Sequence, residues 1–201
     1  MNVIGMLSPS ITNLIRMDHG HVLATFHQFH AGTHERKKRA LVESACLALE
    51  LHTQLEEEIF YPALRELAND TVIVEKSFPE HAQMRQLITR LRTMPPGDLS
   101  YDDSFLELMR DVMHHVADEE TTLLPAAERL LPERLGELGA EFTRRRLQLM
   151  TSHAGDIVSQ TARSFPESAM VMAAGAVSAG AYLFGRTAPR SGGPMGWSGR
   201  R

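Results

Sequence analysis

The chain has 201 residues and a formal net charge of -4, with 43% hydrophobic and 23% charged residues. That length fits one domain of roughly 150 residues with an appendage. The acidic balance, without a basic stripe interleaved with aromatic side chains, argues against a dedicated nucleic-acid binder. The single cysteine, Cys46, excludes an internal disulfide and a cysteine metal site, whereas ten histidines and eleven methionines are unusual counts.

Apolar residues recur with a helical period in five runs that are separated by turn signals, so the sequence predicts an all-α fold. The predicted helices cover about residues 11–31, 35–68, 72–94 and 102–131, followed by a shorter fifth that opens at 131–133 and ends near 152. Pro79 predicts a kink or a late start of the third helix. The simplest architecture is an up-down-up-down four-helix bundle with an additional C-terminal helix.

Each of the first four helices places one histidine on the apolar seam that should face the core, and two of them add a glutamate four residues later. Residues four apart lie on the same helix face, one turn along. No lysine or arginine occupies these seams to neutralise the carboxylates. The residues are His19, His52, Glu56, His81, His115 and Glu119.

The arrangement occurs twice in the chain. "HTQLEEEIFYP" (52–62) and "HVADEETTLLP" (115–125) both read His-x-x-x-Glu-Glu and place a proline ten residues after the histidine. In the other two helices an acidic residue precedes the histidine, as Asp18-His19 and Glu80-His81. The step from His19 to His52 is 33 residues and that from His81 to His115 is 34. This repeat predicts a helical hairpin used twice about a pseudo-twofold axis, with the polar groups meeting at one level.

Two ionised carboxylates in a dry core cost several kcal/mol each unless they are compensated. Bound metal ions compensate them, and four imidazoles with two carboxylates suit iron, with manganese and zinc as rivals. If Glu56 and Glu119 both bridge, the two metals lie about 3.5–4 Å apart. Open positions could then hold an oxo or hydroxo bridge, water, dioxygen or peroxide. Any one histidine alone would be read as a hydrogen-bonded core residue, but the duplicated set favours a dimetal centre.

The order Asp18-His19, His52-x-x-x-Glu56, Glu80-His81, His115-x-x-x-Glu119 resembles the haemerythrin-like family, also called the HHE cation-binding domain, over about residues 11–131. The resemblance implies a four-helix bundle with a non-haem di-iron centre, whose ligands would be His19, His52, Glu56, His81, His115 and Glu119. Arg85 stands where the oxygen-carrying haemerythrins have a second histidine, and Glu120 is the alternative to Glu119. The missing imidazole argues against oxygen carriage and favours the branch resembling iron or oxygen sensors, peroxide-handling and NO-responsive proteins.

Two classes of function stay open. The first is a protein that binds or senses dioxygen, NO or iron itself; the second is an enzyme that decomposes peroxide or oxidises ferrous iron. The binding class is favoured because the metal centre alone accounts for every unusual residue. Four acidic neighbours could orient the ligands or simply face solvent, namely Asp18, Glu57, Glu80 and Glu120. Tyr61 lies one helical turn past Glu57 and could approach the site, but filling the end of the core is the default expectation.

The sequence predicts a division into residues 1–155, the bundle with its fifth helix, and 156–201, a linker, an apolar helix and a disordered end. Residues 168–184 carry no charge and are rich in Ala, Gly and Ser. This segment is open to four interpretations: a membrane anchor, a helix docked on the bundle, an oligomer contact or a loosely ordered tail. Because Met1–Leu7 is too short for a signal peptide, we expect a cytoplasmic domain, which the tail could anchor to a membrane.

Overall fold

The computed structural model describes residues 9–66 and 72–152, and their regular elements are all helical. The α-helices are α1 (Ile11–His27), α2 (Glu35–Leu55), α3 (Tyr61–Arg65), α4 (Val72–Thr93), α5 (Tyr101–Asp118), α6 (Leu124–Leu130) and α7 (Leu135–Ser152). A π-helical turn, Glu56–Phe60, joins α2 to α3, and a second, Glu119–Leu123, joins α5 to α6. The predicted all-α bundle is therefore confirmed, with two of its four long helices interrupted.

Helix α1 packs on α2, α4 packs on α5, and α7 lies against both α1 and α2. The buried apolar side chains form two separate clusters. Along α1 the first cluster ends at Ile15 and the second begins at Val22, so that His19 lies between them. Cys46 is buried in the second cluster, as expected of a small apolar side chain. The two clusters thus enclose one polar level.

Several helix ends differ from the predicted ones. Helix α1 ends at His27, because the amides of Gln28 and Phe29 turn back to carbonyls only three residues earlier and tighten the chain. The imidazole of His34 caps α2 by accepting a hydrogen bond from the Arg36 amide. The late start suggested for the third helix is wrong, since α4 begins at Val72 and continues through Pro79.

The two π-helical turns follow from the repeated prolines. Pro62 and Pro125 have no amide hydrogen to donate, and their rings clash with the carbonyl four residues earlier in a regular α-helix. The hydrogen bonds just before them therefore span five residues: the Tyr61 amide donates to the Glu56 carbonyl, and the Leu124 amide to the Glu119 carbonyl. Each turn begins at the glutamate that the repeat places on the seam.

The predicted tail, residues 156–201, lies outside the described residues, and so does the candidate anchor at 168–184. Across 9–66 and 72–152, no helix has the length and apolar character needed to cross a bilayer. The division at residue 155 stays a prediction.

At Gly139 the backbone of α7 passes close to the residues that lead into α1. A Cβ added there would lie 2.0 Å from the Pro9 carbonyl oxygen, so the backbone would have to move. Gly139→Ala should lower the free energy of unfolding of the metal-free protein by about 1–3 kcal/mol. Gly20→Ala is the matched control: its Cβ meets nothing within 4 Å, and alanine should raise stability by about 0.5–1 kcal/mol. Urea denaturation measures both, and an unchanged midpoint for Gly139→Ala would contradict the close approach.

Candidate metal centre

All six residues selected from the sequence are buried, and they converge in the interior of the bundle. Their candidate ligand atoms form two groups, within each of which the atoms lie no more than 4.8 Å apart. The groups are His19, His52, Glu56 and Glu119, and Glu56, His81 and His115. The structure thus brings the predicted ligands together, while metal binding by each of them stays a prediction.

Glu56 and Glu119 each lie between histidines of the two sequence repeats. The Glu56 Oε1 atom lies 3.3 Å from His52 Nε2, and its Oε2 atom lies 3.5 Å from His81 Nε2. Glu119 Oε2 lies 3.1 Å from His19 Nε2 and 3.7 Å from His115 Nε2. Each carboxylate therefore faces histidines from both halves, which is the placement a bridging carboxylate requires.

A carboxylate stands behind each of the four histidines, facing its Nδ1 atom. The pairs are His19–Glu120 at 2.8 Å, His81–Glu57 at 2.9 Å, His115–Glu80 at 2.9 Å and His52–Asp18 at 3.5 Å. Because a carboxylate only accepts hydrogen bonds, the three close pairs place the hydrogen on Nδ1 and leave a lone pair on Nε2, directed inward. Of the two interpretations of these acidic neighbours, the structure therefore favours the orientation of the histidines.

The resulting set of donor atoms fits a metal. The Nε2 atoms of His81 and His115 lie 3.0 Å apart. With both hydrogens on Nδ1, two lone pairs face each other and repel unless a proton or a cation lies between them. Glu56 is fully buried, and its Oε1 atom accepts no hydrogen bond. Buried imidazole nitrogens and a carboxylate oxygen without a donor are what a transition-metal cation stabilises.

The pKa values show how strongly these groups depend on one another. Burial, together with the charges of His115 and His52, lowers the pKa of His81 to about 2. Burial also opposes the charged form of His115, but the carboxylates of Glu56 and Glu80 outweigh it and raise that pKa to about 10. Burial and then the charge of Glu119 raise the pKa of Glu56. In the absence of a metal, a proton on His115 takes the place of a cation.

Tyr61 belongs to the site, the less favoured of the two alternatives for this residue. Its hydroxyl donates to Glu119 Oε1 at 2.9 Å and lies 3.3 Å from both Glu56 Oε2 and His81 Nε2. In a regular α-helix a residue five positions after Glu56 would be rotated by about 140° from it. The first π-helical turn brings the two onto a common face. Burial and the charges of both glutamates raise the pKa of the phenol, so the hydroxyl keeps its proton.

The second repeat has Leu124 at the position equivalent to Tyr61, one residue before the proline. The pseudo-symmetry of the ligands is therefore broken by the residue that follows each π-helical turn. The Tyr61 hydroxyl contacts members of both groups, Glu119 in one and His81 in the other, whereas the leucine offers no polar atom. The two halves of the site are chemically different.

The remaining described histidines lie outside the site. Those at 21, 27, 30, 34 and 114 are exposed. Glu120 stands behind His19 at its Nδ1 atom, whereas Glu119 faces the interior, so the two adjacent glutamates have distinct positions.

Comparison with known proteins fits this geometry. The family model of the Hemerythrin HHE cation binding domain matches residues 10–127. The chain belongs to this family. The predicted resemblance is thereby confirmed, and the chain contains an HHE cation-binding domain with a site of buried histidines and glutamates.

Two other proteins are similar to this chain. A protein named DNA nickase from Nostoc sp. (strain PCC 7120 / SAG 25.82 / UTEX 2576) is 28% identical over 136 residues, which are 66% of this chain and 38% of that protein. The chain thus spans well under half of that relative's length. A crystal structure of a hemerythrin HHE cation binding domain-containing protein from Mycobacterium kansasii is 20% identical, covers 82% of this chain and 98% of that one, and has a TM-score of 0.62. At 20% identity, this structural similarity supports a shared fold and no shared role.

Proposed function

We propose that this HHE domain binds two iron ions and uses them to bind or sense a small ligand, namely dioxygen, NO or peroxide. One observation carries the proposal: buried imidazole nitrogens and carboxylate oxygens from four helices converge within a few ångströms, and a transition-metal cation stabilises such a set of donors. The residues that would hold the ions are His19, His52, Glu56, His81, His115 and Glu119.

Iron is the preferred metal because the donor set mixes nitrogen and oxygen ligands and contains no thiolate, with manganese and zinc as the rivals. A bound iron pair supplies Lewis acidity and a redox couple. The protein holds the metal-ligating atoms in place and excludes water from the site. The carboxylates behind the histidines fix the imidazoles, and the two apolar clusters exclude water.

Binding is favoured over turnover because the polar residues of the site are accounted for as metal donors or their partners. The second candidate is an enzyme that decomposes peroxide or oxidises ferrous iron, and the Tyr61 hydroxyl supports it. That hydroxyl lies within hydrogen-bond range of the site and could hold a proton near a reacting oxygen. Continuous consumption of peroxide by the purified, iron-loaded protein, at a rate proportional to protein concentration, would favour the enzyme.

The first test is metal content. Protein produced with added iron and purified in air should contain about two iron ions per chain, as a two-metal site requires, and its absorption spectrum should show iron bands. Parallel samples with manganese and zinc test the choice of metal. Less than half an equivalent of every transition metal would overturn the proposal.

A further inference from the structure

Helix α7 contacts the surroundings of the metal centre through two adjacent arginines. The Arg146 guanidinium donates to Asp18 Oδ2 at 2.5 Å, and Arg145 donates to Glu58 Oε2 at 2.6 Å. Asp18 is the carboxylate that faces His52 Nδ1, whereas Glu58 contacts Arg145 and the Gln54 amide. Helix α7 also lies beyond residues 10–127, the part that the family model matches.

We propose that Arg146 is a positioning residue of the metal centre, fixing the Asp18 carboxylate beside His52 at 3.5 Å from its Nδ1 atom, so that α7 controls the affinity of the group formed by His19 and His52. The inference rests on the proposed metal binding. It extends the functional unit beyond the four-helix bundle to the fifth long helix.

The first support is a pattern shared by all four histidines. Each carboxylate behind a histidine also contacts a cationic side chain. The contacts are Glu120–Arg16 at 3.1 Å, Glu57–Arg85 at 2.9 Å, Glu80–Lys76 at 3.1 Å and Asp18–Arg146 at 2.5 Å. The first three cations belong to α1 and α4. Only for His52, within this set of four, does the cation come from α7.

The second support is the environment of His52. Its Nδ1 atom is buried and makes no hydrogen bond, and Asp18 Oδ2 is 3.5 Å away, farther than the carboxylates of the other three histidines. Asp18 is one methylene shorter than the glutamate in the equivalent position, Glu80. The shorter side chain reaches less far toward the imidazole, so its orientation depends more on the cationic side chain that contacts its carboxylate.

Other contacts dock α7 independently of Arg146. Leu138, Phe142 and Leu149 are buried in the first apolar cluster. The Arg146 guanidinium lies 4.9 Å above the Phe142 ring, which fixes its approach to Asp18. Substitution of Arg146 should therefore leave α7 in place and act on the metal through Asp18.

Coupling between two sites is reciprocal. If α7 strengthens metal binding at His19 and His52, then metal binding strengthens the attachment of α7 by the same factor. Loading with metal should slow hydrogen exchange of the α7 amides in the wild-type chain. A partner or a change in the chain that loosens α7 would lower metal affinity.

The test is an anaerobic titration of the full chain with ferrous iron against a competing chelator. Arg146→Gln should weaken one of the two binding steps by about tenfold, the lower end of the effect of removing such an outer partner, and leave the other step unchanged. Arg145→Gln, one residue away on the same helix, should stay within about twofold of wild type because its partner contacts no histidine. Arg146→Lys should recover part of the loss.

Asp18→Asn should reproduce the Arg146→Gln effect, and the double variant should lose no more than either single variant, because both act on one contact. Asp18→Asn and hydrogen exchange of wild-type α7 still test the inference if Arg146→Gln does not fold. An equal loss in Arg145→Gln, or two unchanged steps in Arg146→Gln, would overturn the role of Arg146. A wild-type chain that binds no iron would instead overturn the proposed function.

Discussion

Glu56→Gln should stabilise the metal-free protein and abolish the stabilisation that iron confers. Glu56 is fully buried, its Oε1 atom accepts no hydrogen bond, and its charge lies beside that of Glu119. Glutamine has nearly the same shape and removes the charge. Its amide can also donate to His52 Nε2, which lies 3.3 Å from the present oxygen. A proton on His115 offsets this charge only in part, and one carboxylate oxygen has no donor, so the substitution should raise the free energy of unfolding by about 1–3 kcal/mol, the usual penalty of a buried polar atom without a partner.

In the presence of iron this advantage of Glu56→Gln over the wild-type protein should disappear or reverse. A ligand that binds only the folded state adds about 2.7 kcal/mol of stability at a hundred times its dissociation constant. Wild-type protein should gain that amount on addition of excess iron. Glu56→Gln should gain almost nothing, because the carboxylate shared by both groups of ligands is gone. Denaturation with and without iron, together with metal analysis, measures both changes.

Glu58→Gln is the matched control, since Glu58 lies two residues further in the same π-helical turn and pairs with Arg145 near the surface. An exposed ion pair contributes about 0–1 kcal/mol, so this variant should change little in either condition. If Glu56→Gln destabilises the metal-free protein, the buried carboxylate is compensated by the protein itself, and the argument for a required cation fails.

The candidate ligands could be found from the sequence because two independent signals coincide at them. Polar residues such as His52 and Glu56 stand where the helical period demands apolar ones, and the same spacing returns at His115 and Glu119. The four-helix bundle follows from the same periodicity. Two of the carboxylates that face histidines, Asp18 and Glu80, were visible in the sequence as well, but each faces a histidine of another helix rather than the one that it precedes.

The periodicity could not decide between the site and the core end for Tyr61, because the face on which it lies depends on a change of helical pitch. A uniform period of 3.6 residues rotates it away from Glu56, whereas the π-helical turn returns it. The prolines at 62 and 125 gave a usable signal. A proline has no amide hydrogen, and its ring disfavours regular α-helical hydrogen bonding, so the amide just before it donates to the carbonyl five residues earlier. Arg146 gave none, since its partner Asp18 lies 128 positions away in the chain.

Tyr61→Phe should lower the stability of the metal-free protein by about 1.5–3 kcal/mol, the contribution typical of a hydrogen bond to a charged group. The hydroxyl is buried and donates to Glu119 at 2.9 Å, so phenylalanine leaves that carboxylate oxygen without its donor. Iron content should stay at the wild-type level, because the predicted ligands remain. The response to small ligands should change: NO binding to the iron-loaded protein, followed by absorption, should weaken by about threefold to tenfold, as the loss of one hydrogen bond implies.

Tyr101→Phe separates this specific effect from the loss of any buried hydroxyl. Tyr101 is fully buried too, but its hydroxyl makes no hydrogen bond and it lies in the second apolar cluster. Removal of an unsatisfied polar atom should leave the stability unchanged or raise it by up to about 1 kcal/mol, and NO binding should not respond. Opposite signs for the two variants would tie the Tyr61 hydroxyl to the charge of the metal centre. Equal losses of stability would show that the Tyr61 hydroxyl contributes only to packing. The difference between Tyr61 and Leu124 would then not determine which half of the site accepts the ligand.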